Sequence, residues 1–258
     1  MTNLQNLKQF TYPVMAQNRN YLIPDLIYSV CTAADLGVWL ETSRNLLNFV
    51  PAKHYLLIVP DNDLELFKSV TDRKFSILPE SIFIQKLKGK LMEKLIASSI
   101  GRLGWYLQQF IKLSVLNNSR EHENYVIWDA DTVPLKNINF FRESGEVEFF
   151  VGTEVHRPYF DLIERILGFG KVADSSFIAQ CFPCKGIWAK NFFSYFENKF
   201  SDDYANVIIN NINFDEASGF SEYETLGSYV YHHFPREVLL TQKKWTSCLL
   251  YTSDAADE

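Results

Sequence analysis

Two kinds of segment alternate along the chain: short continuous apolar runs, and longer stretches in which apolar residues recur at helical spacing. Asp25 to Ala34, Lys53 to Val59, Phe75 to Leu78, Tyr125 to Trp128, Val147 to Gly152 and Ser175 to Phe182 are of the first kind and predict buried strands. Leu36 to Val50 (closed by Pro51), Lys86 to Ile96, Gly104 to Leu116, Arg157 to Leu167, Lys185 to Phe200 and Glu222 to His233 are of the second and predict helices. Strands joined by helical crossovers give a mainly parallel sheet, because a parallel pair needs a long connection that packs back on it. The expectation is one Rossmann-like α/β domain with helices on both faces. Ligands of such sheets lie outside the carboxyl ends of the strands, which singles out Thr32 to Asp35, Pro60 to Asp63 and Asp129 to Asp131.

Composition narrows the classes. With 47% hydrophobic and 22% charged residues among 258, the chain can bury a sizeable core. The aromatic share of 15% suits core filling first and stacking on sugars second. A formal charge of −6 excludes the basic footprint of a nucleic-acid partner. The most apolar stretch, Ile100 to Leu116, is interrupted by Arg102, Gln108, Gln109 and Lys112, so no segment is expected to span a bilayer, and any membrane contact would be peripheral. The first twenty residues lack a basic region ahead of an apolar block, which predicts a cytoplasmic protein. Cys181 and Cys184 form a single CxxC without the second pair of a zinc site, and are expected to be buried thiols. His122, His156, His232 and His233 show no zinc spacing.

Residues 1–21 read as an N-terminal extension and 22–247 as the folded domain. The last stretch, Cys248 to Glu258, breaks with what precedes it and resembles a translated sequencing adapter, which predicts that the natural chain continues differently after Ser247. Asp254, Asp257 and Glu258 of that tail supply three of the negative charges.

Tyr125-Val-Ile-Trp-Asp129-Ala-Asp131-Thr-Val-Pro134 sets two carboxylates two residues apart at the end of a buried strand. Side chains at i and i+2 of an extended segment point the same way, so both can reach one hard cation with a phosphate on its far side. Mg²⁺ and Mn²⁺ favour that arrangement, and such an ion offsets the charge of a departing diphosphate.

At this point the chain resembles the GT-A-fold glycosyltransferases, whose Asp-x-Asp follows a strand of a nucleotide-binding α/β unit. Gly104-Trp-Tyr-Leu-Gln-Gln-Phe-Ile-Lys-Leu113 and Phe220-Ser-Glu-Tyr-Glu-Thr-Leu-Gly-Ser-Tyr229 are similar to blocks of a bacterial branch of that fold associated with surface polysaccharide genes. The resemblance covers about residues 25–234. It implies transfer of a sugar from a nucleotide-diphosphate sugar to a glycan or lipid-linked acceptor, with Asp129 and Asp131 holding Mn²⁺ or Mg²⁺.

Further candidates follow from position. Gln109 and Lys112 lie one helical turn apart and share a face that can meet the donor's phosphates, although a helical lysine is more often solvated. Glu222 and Glu224 flank Tyr223 at a helix start capped by Ser221; they either favour the helix N-terminus or supply the base that takes the acceptor's proton, and the family block points to the second. Asp61, Asp63 and Thr32 stand where a nucleotide's base or ribose is held in many such sheets, with turn chemistry as the alternative. Two other classes fit the motif. One is a haloacid-dehalogenase-like phosphohydrolase with Asp129 as nucleophile, for which Asp202-Asp203 is the only later pair of adjacent aspartates. The other is a nucleotide- or glycan-binding module without turnover.

Overall fold

The computed structural model describes residues 20–84, 87–98 and 101–242. Its strands are β1 (Tyr21–Leu22), β2 (Leu26–Val30), β3 (His54–Val59), β4 (Phe75–Pro79), β5 (Asn124–Trp128), β6 (Phe141–Arg142), β7 (Val147–Val151), β8 (Cys181–Lys185) and β9 (Val238–Gln242). The helices are α1 (Leu36–Phe49), α2 (Leu64–Val70), α3 (Ser81–Ile84), α4 (Leu87–Ala97), α5 (Leu103–Asn117), α6 (Arg157–Leu167), α7 (Gly186–Phe200), α8 (Tyr204–Asn211) and α9 (Glu222–His233). Lys86, the expected first residue of the helix described as α4, lies outside the described residues. So do residues 1–19 and the stretch 248–258 read as a foreign tail.

The central sheet has the order β4-β3-β2-β5-β8. Four strands run parallel, and β8 joins the edge antiparallel to β5. Right-handed crossovers place α1 and α2 on one face and α5 on the other. Trp39 of α1, fully buried, packs its ring 5.2 Å from Phe75 and donates its indole N–H to Thr71 Oγ1 at 3.0 Å. On the opposite face the Tyr28 hydroxyl donates to the Lys112 carbonyl at 2.8 Å, fastening α5 to β2. Each such large buried side chain contributes roughly 1.5–3 kcal/mol.

A second sheet, of order β1-β6-β7-β9, was not foreseen. Val147 to Gly152 reads as one more strand of a single sheet, but β7 pairs parallel with β9 and antiparallel with β6. Strands β1 and β6 have two residues each, too few to leave a period in the sequence. Tyr21 belongs to this sheet and donates its hydroxyl to Glu148 at 2.6 Å, so the domain takes in a residue the sequence reading assigned to the extension. The aromatic surplus fills the seam with the central sheet, where Phe149 meets Phe177, Phe182 and Trp188 at centroid distances of 4.7–6.1 Å.

The expected strand from Ser175 to Phe182 is mostly irregular; only Ser176 makes an isolated bridge, to Gly152, before β8 begins at Cys181. Gln180 adopts φ 58°, a left-handed conformation that interrupts any extended run and costs a non-glycine residue about 1–3 kcal/mol. Cys181 and Cys184 are buried on β8, and burial pushes the Cys184 thiol far above its ordinary range. Among the described residues no helix is long and apolar enough to cross a membrane.

Candidate functional site

Strands β2 and β5 are parallel neighbours from which the chain departs in opposite directions, since β3 and β4 lie beyond β2 while β8 lies beyond β5. Crossovers on opposite faces leave a crevice beyond the carboxyl ends of such a pair. A cleft of about 550 Å³ opens there, floored by Asp129 and Asp131 and walled by α5 and the first turn of α9.

At its base lies a buried ionic knot. Lys112 Nζ donates to Asp129 Oδ1 and to Glu222 Oε1, each at 2.7 Å, and stands 4.5 Å from the centroid of the Tyr223 ring. The Tyr223 hydroxyl donates to the same Asp129 Oδ1 at 2.6 Å, and the Asp129 N–H donates to the Gln180 carbonyl at 2.9 Å. Burial alone would lower the Lys112 ammonium, but the two carboxylates outweigh it and hold the group above its ordinary range. Gln109, 3% exposed, accepts the Glu222 N–H with its Oε1 at 3.0 Å and sets the start of α9 against α5. Glu222 is 4% exposed; burial raises its carboxyl while Lys112 pulls it back down.

Asp131 differs from Asp129. It is exposed at the cleft mouth and accepts a long 3.4 Å hydrogen bond from Thr132 Oγ1. Although the residue reaches solvent, the cleft walls around its carboxyl withdraw part of its water and raise it, and the Asp129 and Asp35 carboxylates raise it further. Both side-chain contacts of Asp129 fall on Oδ1, so its Oδ2 has no protein partner among the described residues. Hard oxygen donors that repel one another suit a divalent cation sharing its shell with phosphate oxygens and water. Among the described residues no group of three or more His, Cys, Asp and Glu is gathered to hold an ion unaided.

Of the other candidates, Glu224 points away from the cleft. It is 1% exposed and accepts from Ser176 Oγ at 2.7 Å and the Phe177 N–H at 3.1 Å, pinning the cleft wall that carries Ile178. Of the two glutamates, Glu222 lines the cleft and Glu224 does not. Ser221 caps α9 by accepting the Glu224 N–H at 3.3 Å. Burial raises the Glu224 carboxyl. A group that holds its proton more tightly when folded stabilises most below its unfolded pKa, about 4.3, and loses that contribution as pH rises through the higher folded value. Urea unfolding of Glu224→Gln is thus expected to shift in the variant's favour, relative to the parent, between pH 4 and pH 8. A constant difference would show that Glu224 titrates alike in both states.

The loop carboxylates make hydrogen bonds within the fold. Asp61 accepts from Ser81 N–H and Oγ at 3.2 and 2.5 Å, tying the end of β3 to α3, and Asp63 accepts the Ala33 N–H at 3.3 Å. Thr32 donates to Asp35 Oδ2 at 3.3 Å, and it is Asp35 that lines the cleft. Asp203 caps α8, accepting the Asn206 N–H at 2.9 Å, and Asp202 and Asp203 do not line the cleft. Asp35 falls within the rim expected from the strand ends, whereas sequence reasoning passed over Tyr223, Glu154 and Tyr159 as cleft residues. Only Tyr223 carried a signal, lying between two glutamates at a helix start.

No curated protein matches this chain. Among solved structures it is similar to one described as PaToxG glycosyltransferase, at 11% identity over 83% of this chain and 70% of that one, with a TM-score of 0.42. It is also similar to the galactosyltransferase LgtC solved with donor and acceptor sugar analogues, at 8% identity over 84% and 73%, with a TM-score of 0.41. A family model matches residues 41–257, from within α1 through β9 and on into the stretch read as a foreign tail. By that match the chain belongs to DUF6492, a family described as of unknown function.

Proposed function

We propose that this protein is a metal-dependent glycosyltransferase that moves a sugar from a nucleotide-diphosphate sugar to a glycan or lipid-linked acceptor in bacterial surface polysaccharide synthesis. The observation that carries this reading is the Asp129 and Asp131 pair at the sheet's switch point, with one Asp129 oxygen and the exposed Asp131 carboxylate unspent. Five carboxylates, Asp35, Asp129, Asp131, Glu154 and Glu222, line the cleft against the cations Arg102 and Lys112. Three negative charges in excess repel a diphosphate unless a cation enters with it.

A bound Mg²⁺ or Mn²⁺ would supply charge neutralisation at the diphosphate. Asp131 and Asp129 Oδ2 are the residues to hold it. Lys112 commits two of its three N–H donors to carboxylates, so its first role is to orient Asp129 and Glu222 rather than to meet a phosphate. Glu222, with a carboxyl raised by burial and an Oε2 without a partner among the described residues, is suited to accept the proton of an acceptor hydroxyl. Gln109 and Lys112 fix its position from two sides.

The test is a panel of nucleoside diphosphates and sugar nucleotides, with and without Mn²⁺, read by thermal shift and by release of free sugar or nucleotide. At least one sugar nucleotide should be turned over in a Mn²⁺-dependent, chelator-sensitive manner, and its diphosphate should raise the melting temperature by mass action. Absence of both effects across the panel would retire the reading.

A further inference from the structure

Resting on the glycosyltransferase reading, we infer that the acceptor carries an anionic group, a carboxylate or phosphate, received by Arg102 at the end of the cleft remote from the carboxylate pair. Positions 102, 105, 109 and 112 all line the cleft, and their spacing of three, four and three residues puts them in one stripe that begins at the residue preceding α5 and runs along it. The cleft thus follows α5, with Lys112 at the Asp129 end and Arg102 at the other. Ten residues at 1.5 Å rise separate the two by about 15 Å along the helix axis.

The two cations are in opposite states. Lys112 is buried and spent on Asp129 and Glu222. Arg102 is half-buried and forms no ion pair among the described residues; Glu154 lines the same cleft without pairing with it. One guanidinium nitrogen of Arg102 donates to the neutral oxygens of Ala217 and Ser218 Oγ at 2.8 and 2.7 Å, and the group lies 4.3 Å from the centroid of the Trp105 ring. The Ser218 carbonyl meets His156 Nε2 at 2.7 Å, so the segment that anchors Arg102 is itself held by the residue that precedes α6. The guanidinium is therefore preorganised while its charge and remaining N–H donors are unspent, which fits an oxyanion from the ligand.

That oxyanion is not the donor's diphosphate. A diphosphate placed against Asp129 and Asp131 is about 15 Å away along α5, and a nucleoside diphosphate linked to a neutral sugar carries no second anion. The remaining source is the acceptor, either as an acidic sugar or as a sugar phosphate such as a lipid-linked one. Trp105, beside Arg102 in the same stripe, lines the cleft and holds the guanidinium over its ring.

Calorimetric titration of the full chain with three tetrasaccharides tests this: one neutral, one ending in a uronate, one bearing a phosphate monoester. At least one anionic probe should bind ten-fold or more tightly than the neutral one, and whichever binds tighter names the source of the anion. Arg102→Gln should erase the preference and Arg102→Lys should retain part of it, with the affinity for UDP, GDP or ADP in the presence of Mn²⁺ unchanged in both. Equal binding of all three probes, no binding of any, or a preference that survives Arg102→Gln overturns the inference. So does a ten-fold loss of nucleoside diphosphate affinity in Arg102→Gln, which would assign the guanidinium to the donor. An anionic preference that depends on Arg102 in a chain that turns over no sugar nucleotide would uphold the subsite while retiring the transferase reading.

Discussion

Replacing Lys112 with methionine is expected to lower stability by about 3–5 kcal/mol and to abolish turnover. Lys112 and Glu222 side chains are 6% and 5% exposed and Asp129 is 25% exposed, so removal of the ammonium strands the Glu222 carboxylate where water barely reaches and leaves Asp129 beside it with only partial hydration. Methionine fills the space of the stem, which leaves charge as the main change. Urea unfolding at pH 7 measures the loss. The double variant Lys112→Met with Glu222→Gln should recover part of it, because one of the two orphaned charges is then gone. If Lys112→Met costs less than 1 kcal/mol, the knot is solvated and Lys112 is free to meet a phosphate after all.

Asp131→Asn should behave in the opposite way. Its residue reaches solvent at the cleft mouth and has no ion pair among the described residues, while the loss of water around the carboxylate and then the charges of Asp129 and Asp35 raise it. A folded-state carboxyl raised in this manner withdraws stability as pH climbs past the unfolded value, about 3.9, so the amide should leave the melting temperature at neutral pH unchanged or slightly higher. If the proposed function holds, turnover should nevertheless fall by on the order of 10²–10⁴-fold, since several kcal/mol of transition-state stabilisation would depend on the cation it is proposed to hold. Manganese binding, followed by electron paramagnetic resonance without nucleotide, should weaken in parallel. A variant of full activity removes Asp131 from the site. A variant that unfolds shows that its carboxylate belongs to the structure.

Legibility in the sequence followed segment length and burial. Runs such as His54–Val59 and helices such as Arg157–Leu167 are long enough to impose their period, and their bounds were readable to within a residue or two. Two-residue strands have no period to show, so the second sheet stayed hidden although Val147–Val151 within it did not. The segment before β8 misled for another reason: its apolar residues are buried by tertiary contact, with Glu224 holding Ser176 and Phe177, and not by strand pairing. At the site, two carboxylates at a strand end were legible because their spacing has one geometric meaning. The partners of Asp129 were not, because Lys112 and Tyr223 come from 17 residues before and 94 after, and local pattern says nothing about where such distant helices meet.

Those sequence separations carry a consequence for synthesis. The ionic knot draws Lys112 from α5, Asp129 from the end of β5, and Glu222 and Tyr223 from α9, so it cannot close until α9 has been made and packed. On the ribosome, the first two-thirds of the chain can lay down the parallel strands β2 to β5, but Asp129 and Lys112 then face each other across an unfinished wall, with Glu222 still to arrive. A nascent chain halted before α9 would hold a recognisable sheet and an open, partly hydrated carboxylate pair without its intended partner. The site's chemistry is thereby tied to completion of the fold, and a shortened product that keeps the strands but loses α9 should be inert as well as fragile.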